Sequence, residues 1–135
     1  MDRLFLDANV LFSAAYRTDS GLRALWRLRN VERVTSEYAV EEARRNLETV
    51  AQRRELDALL LGVEVLANDL SDFTERPAAP VRAKDRPIVR AALRAGATHL
   101  ITGDRRDFGA WFGKSLEGVR VATPGEYLRA RKGAQ

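Results

Sequence analysis

The run Leu4-Phe5-Leu6 is apolar at three successive positions and is followed at once by Asp7. A strand with one face in water alternates apolar and polar residues, whereas a continuous apolar run fits a strand covered on both faces. Val31 to Thr35, His99 to Thr102 and Val119 to Ala122 read as further short strands, with helical segments between them. That alternation predicts an α/β domain: a three-layer α/β/α fold around a central, mainly parallel sheet. In such sheets ligands bind beyond the carboxyl ends of the strands. Asp7 and Asp104 both stand at that end.

Helices are expected from Asn9 to Tyr16, from Ser20-Gly21 to Arg29, from Glu37 to about Val50 behind a Ser36 N-cap, and from about Arg53 to Val65. Residues 68–84 lose periodicity and hold Pro77 and Pro80, with a short strand suggested near Phe73. A helix opens at Asp85 and stops at Gly96, a suitable C′ glycine. The stretch after Gly103 reads as loop through Lys114, and Thr123-Pro124-Gly125-Glu126 has the form of a capping box before a last helix. One domain is expected over residues 1–130, with 131–135 as a disordered tail.

A chain of 135 residues can build a core without covalent staples. It has no cysteine, which removes disulfides, zinc–thiolate sites and cysteine nucleophiles. No stretch approaches the roughly 18 apolar residues of a membrane span, and no apolar leader precedes the first strand. A cytoplasmic protein without membrane association is the expectation. The net charge is +4, and the basic side is nearly all arginine, since Lys84, Lys114 and Lys132 are the only lysines. Arginine's planar fork suits phosphate, and a basic domain with acids at its centre suits a polyanion. Arginines also solvate helices: Arg86, Arg90 and Arg94 form a stripe opposite Val89, Ala92 and Leu93.

Four acids bear on chemistry. Asp7 either caps the following helix or serves a site, and Asn9 either orients Asp7 or caps that helix itself. At about 100° per residue, Val40, Ala43, Leu47 and Val50 define the buried stripe of their helix; Glu42 lies on its flank and Glu41 points away. Glu42 is therefore the candidate. Asp85 opens its helix, where an N-cap is worth about 1 kcal/mol, and a capping carboxylate still has a second oxygen free. Asp104 follows Thr102-Gly103, which lets the chain turn at the strand end; Thr102 either holds a water or phosphate oxygen or bonds to backbone. Asp107 is near enough to contribute but lies farther from the strand edge. Acids gathered at one point raise each other's pKa unless a cation neutralises them. The pattern thus points to a divalent-metal site and to metal-assisted hydrolysis of a phosphodiester. His99, the only histidine, sits in a covered strand and reads as structural, and no glycine-rich phosphate loop is present.

The segments Leu4-Phe5-Leu6-Asp7-Ala8-Asn9-Val10-Leu11, Ser36-Glu37-Tyr38-Ala39-Val40-Glu41-Glu42, Lys84-Asp85-Arg86-Pro87 and His99-Leu100-Ile101-Thr102-Gly103-Asp104 occur in this order, followed by Val121 to Leu128. In that order and spacing the sequence resembles the PIN-domain ribonucleases, especially the toxin-type members typified by VapC toxins. The resemblance implies metal ligation or metal-water positioning by Asp7, Glu42, Asp85 and Asp104. Asn9 and Thr102 fall at supporting positions, and Asp107 is an additional acid. It further implies Mg²⁺ or Mn²⁺, RNA as substrate, cleavage to a 5′-phosphate and a 3′-hydroxyl, a homodimer, and a cognate antitoxin that blocks the site. Ala83 and Lys84 stand where many relatives place further acids, which leaves one or two metals open. Two rivals remain: a catalytically silent RNA- or protein-binding PIN domain, and a Mg²⁺-dependent phosphoacceptor module. The latter wants a second acid beside Asp7 and a lysine at the last strand end, where this chain has Ala8 and Ala122-Thr123.

Overall fold

Leu4, Phe5 and Leu6 are fully buried, as an uninterrupted apolar run requires, because their strand lies inside a sheet covered on both sides. The computed structural model describes residues 1–73 and 83–133. Strand β1 (Asp2–Leu6) pairs in parallel with β2 (Val31–Ser36) on one side and β4 (His99–Ile101) on the other. Phe5 is in register with both Val34 and Leu100. Beyond them lie β3 (Glu64–Leu66), β6 (Val119–Ala122) and β5 (Ser115–Leu116), giving the order β3-β2-β1-β4-β6-β5. Among the described residues only the β5–β6 hairpin is antiparallel.

Seven helices accompany the sheet among the described residues: α1 (Ala8–Tyr16), α2 (Ala24–Arg27), α3 (Glu37–Asn46), α4 (Val50–Leu60), α5 (Arg86–Arg94), α6 (Arg105–Phe108) and α7 (Pro124–Gly133). α1 packs on α3 and α4, and α5 packs on β2 and β4. The chain steps outward from β1 to β2 to β3, then returns past β1 to form β4. Right-handed crossovers place helices of the outward and returning steps on opposite faces, so three layers result. The reversal also opens a crevice at the carboxyl ends of β1 and β4. Phe5, Leu100, Ile101 and Val34 fill the core beneath it, each such side chain contributing about 1.5–3 kcal/mol on burial.

Several boundaries differ from the sequence expectation. α3 stops at Asn46 and α4 starts at Val50, because Thr49 and Gln52 form both halves of a capping box. Val50 consequently leaves the buried stripe and is 62% exposed. α4 ends at Leu60 instead of reaching Val65; a turn at Leu61-Gly62 releases Glu64–Leu66 to pair with Val34–Ser36 as an edge strand. The expected loop before Lys114 contains α6 and a 3-10 turn, with β5 just beyond. Leu70–Phe73 is a 3-10 turn and not a strand, and Pro77 and Pro80 lie outside the described residues. The second expected helix reduces to a 3-10 turn, Gly21–Arg23, and the four residues of α2. α7 runs on to Gly133, into the tail expected from residue 131, and Arg131 Nη2 donates to the Arg29 carbonyl at 2.9 Å. Residues 134–135, the rest of the expected tail, are outside the described residues. No helix among the described residues is long and apolar enough to cross a membrane.

Candidate active site

Asp7 is the first residue past β1, and its amide donates to the Ile101 carbonyl at 3.0 Å, which ties the ends of β1 and β4 together. Its carboxylate is held from three sides. Oδ1 accepts from the Ala8 amide at 2.7 Å, while Oδ2 accepts from the Thr102 hydroxyl at 2.7 Å and from Asn9 Nδ2 at 3.2 Å. Asp7 therefore caps α1, and Asn9 orients it. Asn9 Oδ1 also accepts from the Gly103 amide at 2.9 Å, joining the two loops. Thr102, wholly buried, accepts in turn from the Asp104 amide at 3.1 Å. Burial pushes the Asp7 carboxyl up to about 6; the Thr102 and Ala8 bonds restrain the rise, and the charges of Glu42 and Asp104 add to it.

Asp104 caps α6 by accepting from the Asp107 amide at 3.0 Å. That single turn brings the Asp107 side chain inward, where it is 1% exposed. Asp85, Asp104 and Asp107 each offer an oxygen within 4.8 Å of the others. Asp107 is thus closer to the centre than its distance from the strand edge suggested. The signal was an Asp-x-x-Asp spacing, which fits a helix cap and its N3 partner.

Asp85 precedes α5 but makes no side-chain capping bond, so the structural explanation for it falls away. The residue is 9% exposed, and among the described residues no hydrogen-bond donor reaches its buried Oδ2. Burial first, and then the neighbouring Asp107 and Asp7 carboxylates, push Asp85 up to about 7, against the pull of Lys84. Lys84 Nζ lies 3.0 Å from Asp107 Oδ2 and holds Asp107 below the usual carboxylate range. Within this pair the proton is held more readily by Asp85 than by Asp107.

Glu42 is half-buried on α3 and Glu41 is exposed, in agreement with their helical phase. Glu42, Asp7, Asn9, Asp85 and Asp104 line one cavity of about 400 Å³, together with Phe12, Asn46 and Lys84. All four sequence candidates therefore face a common space. Asp7 and Glu42 stand outside the tight triple of Asp85, Asp104 and Asp107. Sequence reasoning missed Tyr38, whose hydroxyl donates to the Lys84 carbonyl at 3.3 Å. Burial raises its phenol pKa, and the charges of Glu42 and Asp85 raise it further. A tyrosine one turn before Glu42 carries no distinguishing pattern. His99 is elsewhere: its Nδ1 is 2.8 Å from Thr98 Oγ1 and its ring meets Tyr127 edge-on at 5.0 Å.

The donor set is carboxylate, hydroxyl and amide oxygen, which suits a hard cation such as Mg²⁺ or Mn²⁺ over a soft one. The buried, donor-free Asp85 oxygen supplies the electrostatic need for one. A family model described as a PIN domain matches residues 3–106. The chain belongs to the PIN-domain family. PIN domains are nucleases, hydrolases acting on nucleic acid, and generally use divalent metals. The matched span takes in Asp7, Glu42, Asp85 and Asp104 and stops one residue short of Asp107. A chain in the crystal structure of VapBC2 from Rickettsia felis bound to a DNA fragment from their promoter shares this fold. It aligns with a TM-score of 0.66, covering 90% of this chain and 98% of that one at 14% identity. No curated protein sequence matches the chain.

Proposed function

We propose that this PIN domain is a divalent-metal-dependent endoribonuclease and the toxin of a toxin–antitoxin pair. The observation that carries the reading is the convergence of Asp85, Asp104 and Asp107 within 4.8 Å, in a cleft shared with Asp7 and Glu42, at the reversal of strand order. Asp7, Glu42, Asp85 and Asp104, joined by Asp107, would hold Mg²⁺ or Mn²⁺. Such an ion supplies Lewis-acid stabilisation of phosphoryl charge and lowers the pKa of water. The protein's own part is to fix the carboxylates in place. Thr102 and Asn9 hold the Asp7 carboxylate in one orientation by their two bonds to Oδ2. Lys84 offsets one negative charge of the cluster at Asp107. Water attacks phosphorus and the bond to the 3′ oxygen breaks, leaving a 5′-phosphate and a 3′-hydroxyl.

RNA as the substrate draws on the motif resemblance and on the arginine-rich net charge of +4. The likeness to a VapBC2 chain supports an antitoxin partner, and a homodimer in the cytoplasm belongs to the same reading. Incubating purified protein with end-labelled single-stranded RNA, and with DNA of the same sequence, in Mg²⁺, Mn²⁺ or EDTA tests it. Cleavage should need metal, favour RNA, and fall at least about 100-fold in Asp7→Asn and Asp104→Asn, within the 10²–10³-fold range typical for removing a group that stabilises transition-state charge. A wild-type protein that cuts nothing, or folded variants that cut as well as it does, would end the nuclease reading.

A further inference from the structure

A second cavity, of about 520 Å³, opens beside the acidic one and shares Asn9 and Asp104 with it. Its walls carry Ser13 of α1, Arg105 of α6, and Gly125 and Arg129 of α7. Where the first cavity concentrates negative charge, this one presents two guanidinium groups. Both arginines are exposed, and among the described residues neither side chain makes a hydrogen bond or an ion pair. Glu126, the acid at the start of α7, accepts from the Thr123 amide at 3.0 Å, and the charges of Arg105 and Arg129 help hold its carboxyl below the usual carboxylate range without a hydrogen bond to either. The arginines are nevertheless placed. The Arg105 guanidinium lies over the Phe112 ring, 6.0 Å from its centroid, within the range of a cation–π contact. Arg129 folds back over Gly125, where a Cβ would stand 3.1 Å from its Nη1. Two oriented forks that make no hydrogen bond among the described residues form an anion-binding wall, and phosphate is the anion their planar geometry matches.

We propose that this groove is a backbone subsite in which Arg105 and Arg129 bind phosphates of the RNA strand flanking the scissile bond. The inference rests on the nuclease reading above and adds the strand's path to it. The strand passes from the acid cavity over Asn9 and Asp104 and along α7. No base-reading group is implied, so the contribution is to affinity and register and not to sequence choice.

The test measures binding of a fluorescein-labelled, mixed-sequence single-stranded RNA decamer by anisotropy in EDTA, over a salt series. Wild type is compared with Arg105→Ala, Arg129→Ala and the double variant, and cleavage kinetics in Mg²⁺ run in parallel. Each single change should weaken binding roughly tenfold at low salt. It should also lower the slope of log Kd against log salt by about 0.7 for each phosphate that is no longer neutralised. KM should rise more than kcat falls, and thermal stability should hold, since neither side chain is hydrogen-bonded among the described residues. A protein that cleaves RNA in an Asp7-dependent way while the double variant binds with unchanged affinity and slope overturns the subsite and leaves the nuclease reading intact. If wild type neither binds nor cuts RNA, both fall together. If instead a glutamate-rich decapeptide binds through these arginines and RNA does not, the groove belongs to a protein partner and the proposal is overturned.

Discussion

In the metal-free protein Asp7 should make folding less stable as the solution becomes more alkaline. Its carboxyl stands at about 6 in the folded protein against 3.8 for an unperturbed aspartate, mainly through burial. The native state therefore holds the proton more tightly than the unfolded chain, and the resulting stability is present at low pH and lost as pH rises through about 6. A displacement from 3.8 to about 6 corresponds to about 3 kcal/mol, of which about 2.5 kcal/mol disappears between ~pH 4 and ~pH 7.5. Asp7→Asn removes the titration. It also places an amide NH₂ near donors such as the Ala8 amide and the Thr102 hydroxyl, a mismatch of about 1–3 kcal/mol. That mismatch does not depend on pH, so it cancels when the difference between variant and wild type is itself compared at the two pH values. Urea denaturation in EDTA at both values should show the variant gaining about 2.5 kcal/mol relative to wild type on going from acid to neutral. Parallel pH dependence in the two proteins would refute the argument that burial of an ionised Asp7 is what the site must offset. Adding Mg²⁺ or Mn²⁺ at neutral pH should restore stability to wild type by mass action and do less for the variant.

Thr102→Val keeps the shape of the side chain but removes its bond to Asp7 and the acceptor for the Asp104 amide; it should cost about 1.5–3 kcal/mol of stability. Because the hydroxyl lowers the Asp7 pKa, the acid limb of the pH–rate profile should move to higher pH, and an unmoved limb would mean that Asp7 ionisation does not govern activity. Glu42→Gln should weaken metal affinity, read by isothermal titration calorimetry, by roughly tenfold or more, while the exposed Glu41→Gln leaves it unchanged; equal effects would remove the basis for choosing between them.

How much could be read in advance depended on whether the deciding interaction was local. Helical phase separates Glu42 from Glu41 because one turn of α3 alone decides which of them reaches the cavity. Thr49 and Gln52 were equally local, yet the run of helix-forming residues on both sides concealed the capping box that divides α3 from α4. β3 was not legible, since Glu64–Leu66 becomes a strand only through pairing with Val34–Ser36, some thirty residues earlier. Asp85 left two roles open in the sequence. Its position before α5 suggested a cap, but the absence of any capping bond and the proximity of Asp104 and Asp107 emerge only once distant segments meet.

The pairing of β1 with β4 joins residues 95 apart, as where Arg3 meets Thr98 and Asp7 meets Thr102. Contacts of such separation form only after the intervening chain has been ordered, so parallel sheets of this kind close late. A chain still emerging from the ribosome has made Asp7 and Glu42 long before Asp85, Asp104 or Asp107 exists. The acidic cavity therefore cannot assemble on a nascent or half-folded molecule. On the proposed nuclease reading, competence to cut arrives with the completed sheet and is lost as soon as β4 detaches, even if α1, α3 and α4 remain packed together.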